Sequence, residues 1–155
     1  MKFRLVDIIV ELARGERIVT VKAVSMAEEY LADHFPTFHV LPGVLMLEAL
    51  AESAAWLVRD AQDFAQSIVL LREAKNVTYK SFVKPGSLLR MEVTCRRVGR
   101  AESDFEGIGY CNETEVVKAR FGLKHFLLQE TEPSLAHLDQ GIIDDARARF
   151  AMLRR

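Results

Sequence analysis

Residues Pro42 to Asp60 read PGVLMLEALAESAAWLVRD, and the reading of this run decides the fold class. It has high helix propensity and no proline after its first residue, and Pro42 suits the first turn of a helix. The run is apolar on nearly every side, which predicts a buried helix rather than a surface one. The chain around it has strand character. Residues 17 to 24, RIVTVKAV, alternate and are rich in β-branched residues, which predicts a strand. SMAEEYLADHF follows as a short helical turn, with Ser25 and Glu28 spaced as a capping box. Beyond the long helix, SIVLLREAKNVTYKSFVKPGSLLRMEVTCRRVGR holds two strand-like runs, with Lys84-Pro85-Gly86 at the turn between them. SDFEGIGYCNETEVVKARFGLKHFLL adds two more, turning near Asn112 and Glu113. One buried helix among several long strands is an α+β pattern, an antiparallel sheet wrapped around a central helix.

The bulk properties narrow the function. The 155 residues suffice for one domain with a sizeable core, and half of them are hydrophobic. Net charge is −1 at pH 7, which argues against nucleic acid as the main partner, because phosphate binding needs a basic surface. Cys95 and Cys111 sit in unrelated contexts with no Cys/His cluster, so they read as free thiols of a reducing compartment, and no metal site is implied. The N-terminal run MKFRLVDIIVELARGER carries Asp7 and Glu11 and has no signal-peptide cleavage pattern. Glu48 and Glu52 interrupt the longest apolar stretch, so no membrane span is expected. The expected setting is cytoplasmic. The domain is drawn over residues 1–128. Residues 129–155 are expected to form a largely helical extension docked on it, too short for a core of their own.

Glu48 is the anomaly in the helix. Its neighbours include Val44, Leu45, Leu47, Ala51 and Ala55, so it is either solvated at the helix rim or buried for a purpose. Burial raises a carboxyl pKa and keeps the proton on, and a neutral carboxylic acid in an apolar site can act as a general acid. Fourteen residues earlier, His34 opens HFPTFHVLPG. Histidine moves protons near neutral pH, and Pro36 and Pro42 stiffen the loop between the two. Gly43 leaves the helix N-terminus open, where free N–H groups can polarise a carbonyl oxygen. A base, an acid and an oxyanion site in one segment suit proton abstraction next to a thioester carbonyl.

HFP followed at this spacing by PGVLMLEALAE closely resembles the active-site segment of the FabZ-type 3-hydroxyacyl-acyl-carrier-protein dehydratases. That family's pattern is approximately H-F-P-G-x-P-x-x-P-G-V-L-x-x-E-A-x-A-Q, with the same interval of fourteen from His to Glu. FRLVDIIVELARGERIVTVKAVS, NVTYKSFVKPGSLLRMEV and VVKARFGL also resemble family segments, so the likeness runs over roughly residues 3 to 127. It implies a hotdog fold and a homodimer, sometimes a trimer of dimers, whose active sites pair His34 of one protomer with Glu48 of the other. It implies elimination of water from a 3-hydroxyacyl thioester to give a trans-2-enoyl thioester, in fatty acid or related acyl-chain synthesis. His34 would take the α-proton and Glu48 would protonate the leaving hydroxyl. The backbone at Gly43 and Val44 would hold the thioester oxygen, and the Val40 carbonyl would orient His34. Phe35, Pro42, Leu45, Tyr79 and Phe82 are the implied tunnel residues. No cofactor is implied, since the acyl chain arrives on the phosphopantetheine of an acyl carrier protein or of CoA. Lys80, Lys84, Arg90, Arg96 and Arg97 are candidates for a carrier-docking patch.

The chain also departs from the family pattern. Thr37 and His39 replace the usual Gly and Pro of the loop, and Ser87 replaces the frequent Asp after Pro-Gly. Asp33 stands where a Gly precedes the histidine, placed to raise the His34 pKa. Glu52 replaces the usual Gln, one turn from Glu48, and like-charge repulsion between them would raise the Glu48 pKa. These changes mark a divergent member and keep two alternatives open, a hotdog acyl thioesterase and a non-catalytic acyl-binding hotdog protein. An R-specific enoyl-CoA hydratase fits less well, because its usual Asp-to-His order is reversed here. Glu48, in place of Asp, aligns the chain with the relatives that do not isomerise the new double bond.

Overall fold

The computed structural model describes residues 4–33 and 37–154, and for Ala32 and Asp33 the backbone alone. Six antiparallel strands, β1 (Ile8–Ala13), β2 (Arg17–Ala23), β3 (Ile68–Tyr79), β4 (Leu88–Val98), β5 (Glu102–Cys111) and β6 (Thr114–Phe126), form one sheet in the order β1-β2-β4-β5-β6-β3. A short helix, α1 (Glu29–Asp33), precedes the long helix α2 (Gly43–Ala61). The chain ends with α3 (Leu128–Thr131), a 3-10 turn and α4 (Ala136–Leu153). The sheet curls around α2, which is the expected α+β hotdog architecture.

The core is the inner face of that wrap. Ala49, Leu50, Ala54 and Leu57 of α2 lose all solvent contact against Leu89, Met91, Val93, Phe105 and Val117 of the sheet. Each fully buried side chain of the Leu, Met or Phe kind contributes roughly 1.5–3 kcal/mol. Gly107 lets the helix come this close, since a Cβ there would lie 3.1 Å from Leu50 and 3.2 Å from Phe121. The polar exceptions inside are paired. Ser53 donates to the Ala49 carbonyl at 2.8 Å, and its Oγ lies 2.7 Å from Thr20 Oγ1.

The turn at Asn112 and Glu113 falls where expected, and both residues have positive φ. It joins β5 and β6 as a two-residue hairpin, with Cys111 opposite Thr114. Gly86 also turns with positive φ, and its N–H donates to the Val24 carbonyl at 2.7 Å. The strands on either side of Lys84-Pro85-Gly86 do not pair with each other. β3 pairs with β6 at one edge, while β4 lies between β2 and β5. The sequence reading assigns no strand to residues 8–13, where β1 forms the other edge. A register shift between Ile9 and Glu11 and its mostly exposed side chains blur the period-2 signal there.

The expected capping box at Ser25 is corrected. Ser25 Oγ accepts the Ala27 N–H at 3.1 Å, while the Glu28 carboxylate pairs with Lys22 Nζ at 2.7 Å. Lys22 is buried, and its ammonium needs a counter-charge more than the helix start needs a second cap.

The C-terminal segment packs back onto α2. Phe150 inserts between Trp56 and Phe64, with ring centroids 5.9 and 5.4 Å away. Asp139 is buried at the other end of α4, where it accepts Ser67 Oγ–H at 2.5 Å and the N–H groups of Leu128 and Gln129 at 2.8 and 3.2 Å. Burial pushes its pKa up, but these three donors outweigh that and hold it below the usual value. Arg147 donates to the Asp63 carbonyl at 2.8 Å. Phe150→Ala should therefore cost about 3 kcal/mol of unfolding free energy, read as a lower urea midpoint at unchanged slope. A loss under about 1 kcal/mol would mean that α4 is only loosely docked.

Candidate active site

Pro42 caps α2 with an extended backbone and no side-chain hydrogen bond, and the first turn carries no acid. The first bonded amides of the helix are those of Leu45 and Met46, both to the Pro42 carbonyl. The N–H groups of Gly43 and Val44 come before them, at the positive end of the helix dipole. A cavity of about 370 Å³ opens beside this end, lined by Val40, Gly43, Met46, Tyr79 and Phe82 among others. Gly43 is required here for space. A Cβ on it would stand 3.2–3.3 Å from the Tyr79 ring.

Val40, Gly43, Tyr79 and Phe82 thus line one cavity. Phe82 stacks edge-on with Phe38 at 5.6 Å, and Lys84 lies 5.9 Å over the Phe38 ring. Leu45, expected to line the tunnel, sits in the core of the single protomer. It lines neither this cavity nor the one at Glu48, whereas Met46 lines this one. Helical phase decides this, since one residue along the helix turns the side chain by about 100°. Pro42 is half-buried and lines neither cavity. His34 and Phe35, with Pro36, lie outside the described residues, as does the Asp33 side chain.

The altered loop has its own anchor. His39 Nδ1–H donates to the Leu31 carbonyl at 2.7 Å, which ties the loop to α1 in place of the family's second loop proline. The Leu41 N–H donates to the Val83 carbonyl at 2.8 Å, which fixes the entry to α2. Sequence reading treated His39 only as a departure. A histidine in a proline position was the available signal.

Glu48 sits in a second cavity, of about 510 Å³, between α2, the β3–β6 edge and α4. It was expected to be buried, but in the single protomer the residue is exposed on the open side of α2, below Val44, which is 67% exposed. The part of its carboxyl turned toward the cavity has lost enough water to raise its pKa. Glu52, one turn on, is half-buried and also raised, first by burial and then by the charge of Glu48; the Leu5 N–H at 2.8 Å and Arg149 pull the other way. The expected repulsion therefore acts on Glu52, while burial is the cause at Glu48. Trp56 and Arg59 also line this cavity. Arg59 donates to the Gln66 and Ser67 carbonyls at 3.2 and 3.1 Å, and the buried Trp56 Nε1–H has no acceptor among the described residues. Neither residue was singled out by the sequence reading, because both look like ordinary helix positions.

The basic docking patch is also corrected. Lys80 pairs with Glu115, Arg90 with Glu92, Arg96 with Glu106 at 3.1 Å and Arg97 with Asp104 at 2.9 Å. Acids on neighbouring strands, or on the same strand for Arg90, pair with these four cations, and of the five candidates only Lys84 has no ion pair among the described residues. No helix among them is long and apolar enough to cross a membrane.

Comparison with known proteins places this geometry. A model of the FabA-like domain matches residues 1–120. The 3-hydroxyacyl-acyl-carrier-protein dehydratase FabZ of Symbiobacterium thermophilum is 34% identical over 134 residues, covering 86% of this chain and 93% of that protein. The FabZ of Chloroflexus aggregans is 43% identical over 98 residues, covering 63% and 68%. Among solved structures, the dehydratase heterocomplex ApeI:P of Xenorhabdus doucetiae superposes with a TM-score of 0.69 over 85% of this chain and 89% of that one, at 17% identity, which is a likeness of fold.

Because both carboxyl pKa values are raised, the folded protein holds those protons more tightly than the unfolded chain. Their contribution favours the fold below the ordinary carboxylate range and is lost as pH rises through the raised values. Glu52→Gln keeps an acceptor for the Leu5 N–H and removes the charge. Its melting temperature should exceed the wild type's near neutral pH, with the difference closing in acid. A variant less stable than wild type at neutral pH would mean that the charged Glu52 is a net stabiliser.

Proposed function

This chain belongs to the FabA-like domain family, and we propose that it dehydrates 3-hydroxyacyl thioesters with His34 as base and Glu48 as acid. The enzyme class is that of its FabZ relatives, a hydro-lyase. The observation that carries the residue assignment is the position of Glu48, a carboxyl with a raised pKa at the mouth of a cavity. A general acid is helped by holding its proton more tightly, and partial desolvation moves Glu48 in that direction.

The reaction balances without a cofactor. The His34 ring takes the proton from the carbon α to the thioester carbonyl. The electron pair moves toward the carbonyl oxygen, which the N–H groups of Gly43 and Val44 stabilise at the helix start. The C–O bond at the β-carbon then breaks, Glu48 gives its proton to the departing hydroxyl, and water leaves. His34 holds one proton more and Glu48 one fewer, and exchange with solvent resets both.

The site is assembled across a homodimer. Within one protomer, the Gly43 end and Glu48 open into different cavities. Val44 and Glu48 form an uncovered stripe on α2, and the free side of β3 runs for twelve residues with Leu70 47% exposed. A second copy, pairing along β3 and laying its own α2 beside this stripe, would satisfy the open strand edge and cover the apolar surface. It would also bring the His34 loop of one subunit to Glu48 of the other. The substrate is delivered by an acyl carrier protein in the cytoplasm.

Enoyl-thioester absorbance with a 3-hydroxybutyryl-carrier substrate tests the chemistry. His34→Ala and Glu48→Gln should each lower kcat by about 10² to 10⁴-fold, and wild-type turnover should fall as pH rises through the raised Glu48 value. Hydrolysis of the thioester in place of dehydration would instead establish the thioesterase reading. Sedimentation tests the assembly: the wild type should run as a dimer or a multiple of it, and Val44→Lys should shift it toward monomer and lower turnover. A wild-type protein that remains monomeric yet active would sink the shared site.

A further inference from the structure

We propose that the C-terminal helix α4, which lies beyond the residues matched by the family model, is the wall that limits how long an acyl chain this enzyme accepts, with Ala146 as the limiting residue. The inference rests on the dehydratase reading, which puts the reacting carbons at Glu48.

The cavity that Glu48 opens into is lined by α2 on one side, by β3 and β6 on another, and by Ala146 of α4. An acyl chain whose reacting carbons lie at Glu48 has this space before it. Small side chains make the room: Ala51 and Ala55 on α2, and Ala146 facing them from α4. A neighbouring cavity of about 560 Å³ lies on the far side, between α4 and the N-terminal segment at Arg4. Glu52 and Ala146 line both spaces, so this pair is the partition between them.

The partition is rigidly held. Asp139 fixes the start of α4 through Ser67 and the amides of Leu128 and Gln129. Phe150 fixes its end between Trp56 and Phe64. Arg149 Nη2 donates to the Val6 carbonyl at 3.3 Å, so the helix is tied on both sides of Ala146. On the other side of the partition, Glu52 is held by the Leu5 N–H at 2.8 Å. A chain that reaches this point meets a methyl group and a partly desolvated carboxyl, and further methylenes gain little burial.

The test is the chain-length profile of kcat/KM, for 3-hydroxyacyl-carrier substrates of increasing length, in wild type, Ala146→Leu and Ala146→Gly. Each methylene transferred from water to an apolar wall is worth about fourfold in kcat/KM. Ala146→Leu should lower the long-to-short ratio by about tenfold or more, as its added carbons displace two or more methylenes. Ala146→Gly should move the ratio the opposite way, by opening the partition. Opposite shifts from one position separate a wall from general damage, and thermal melts of both variants accompany the assay. Parallel profiles in all three proteins would overturn the proposal. Absence of dehydration at every length in the wild type would instead count against the dehydratase reading. Calorimetric binding of saturated acyl-pantetheines of graded length to the same three proteins would then decide the wall by itself, with identical length preferences overturning it.

Discussion

Helix α2 has too much apolar surface to be served by one neighbour, and most of the structure follows from covering it. The sheet covers one side, with Leu50 against Gly107 and Phe121 as the closest approach. The segment beyond β6 covers another, through Phe150 and α4. What remains is the stripe at Val44 and Glu48, which no described residue covers. That stripe lies beside the free edge of β3, the surface on which the proposed second copy would sit.

The same burial sets the chemistry. A carboxyl on a fully solvated helix would be ionised near neutral pH and useless as an acid. A carboxyl sealed in the core would be inaccessible to substrate. Glu48 stands between these limits, at a cavity mouth, with its pKa raised by desolvation. Glu52 one turn deeper is held by the Leu5 N–H and by the charge of Arg149, so the second carboxylate is absorbed into the scaffold. The helix start has the opposite character: no acid, no side-chain cap and a glycine against an aromatic ring. One helix therefore carries an electropositive end and, just over a turn later, a carboxyl whose pKa is raised.

Function in this chain also depends on segments that carry no recognisable motif. The Asp139 cluster and the Phe150 insertion position α4 along the acid-bearing cavity, and α4 decides where that cavity stops. His39 shows the same economy in the loop, where a single hydrogen bond to Leu31 does the tethering that a proline would have done by stiffness.

The sequence alone determined the long helix at Pro42–Asp60, the strands after it, and the hairpin at Asn112 and Glu113. Those features are local or periodic, and they are written in propensity, turn chemistry and spacing. Only the tertiary structure decided the rest. It sent Glu28 to the buried Lys22 instead of a helix cap, and it turned Leu45 inward while Met46 faced a cavity. It neutralised Lys80, Arg90, Arg96 and Arg97 with acids drawn from neighbouring strands or the same one, and it brought Ala146 to face Ala51 and Ala55. Each of these is settled by which side chains meet across distant segments, and the balance of desolvation and charge that governs such meetings has no signature in the order of residues along the chain.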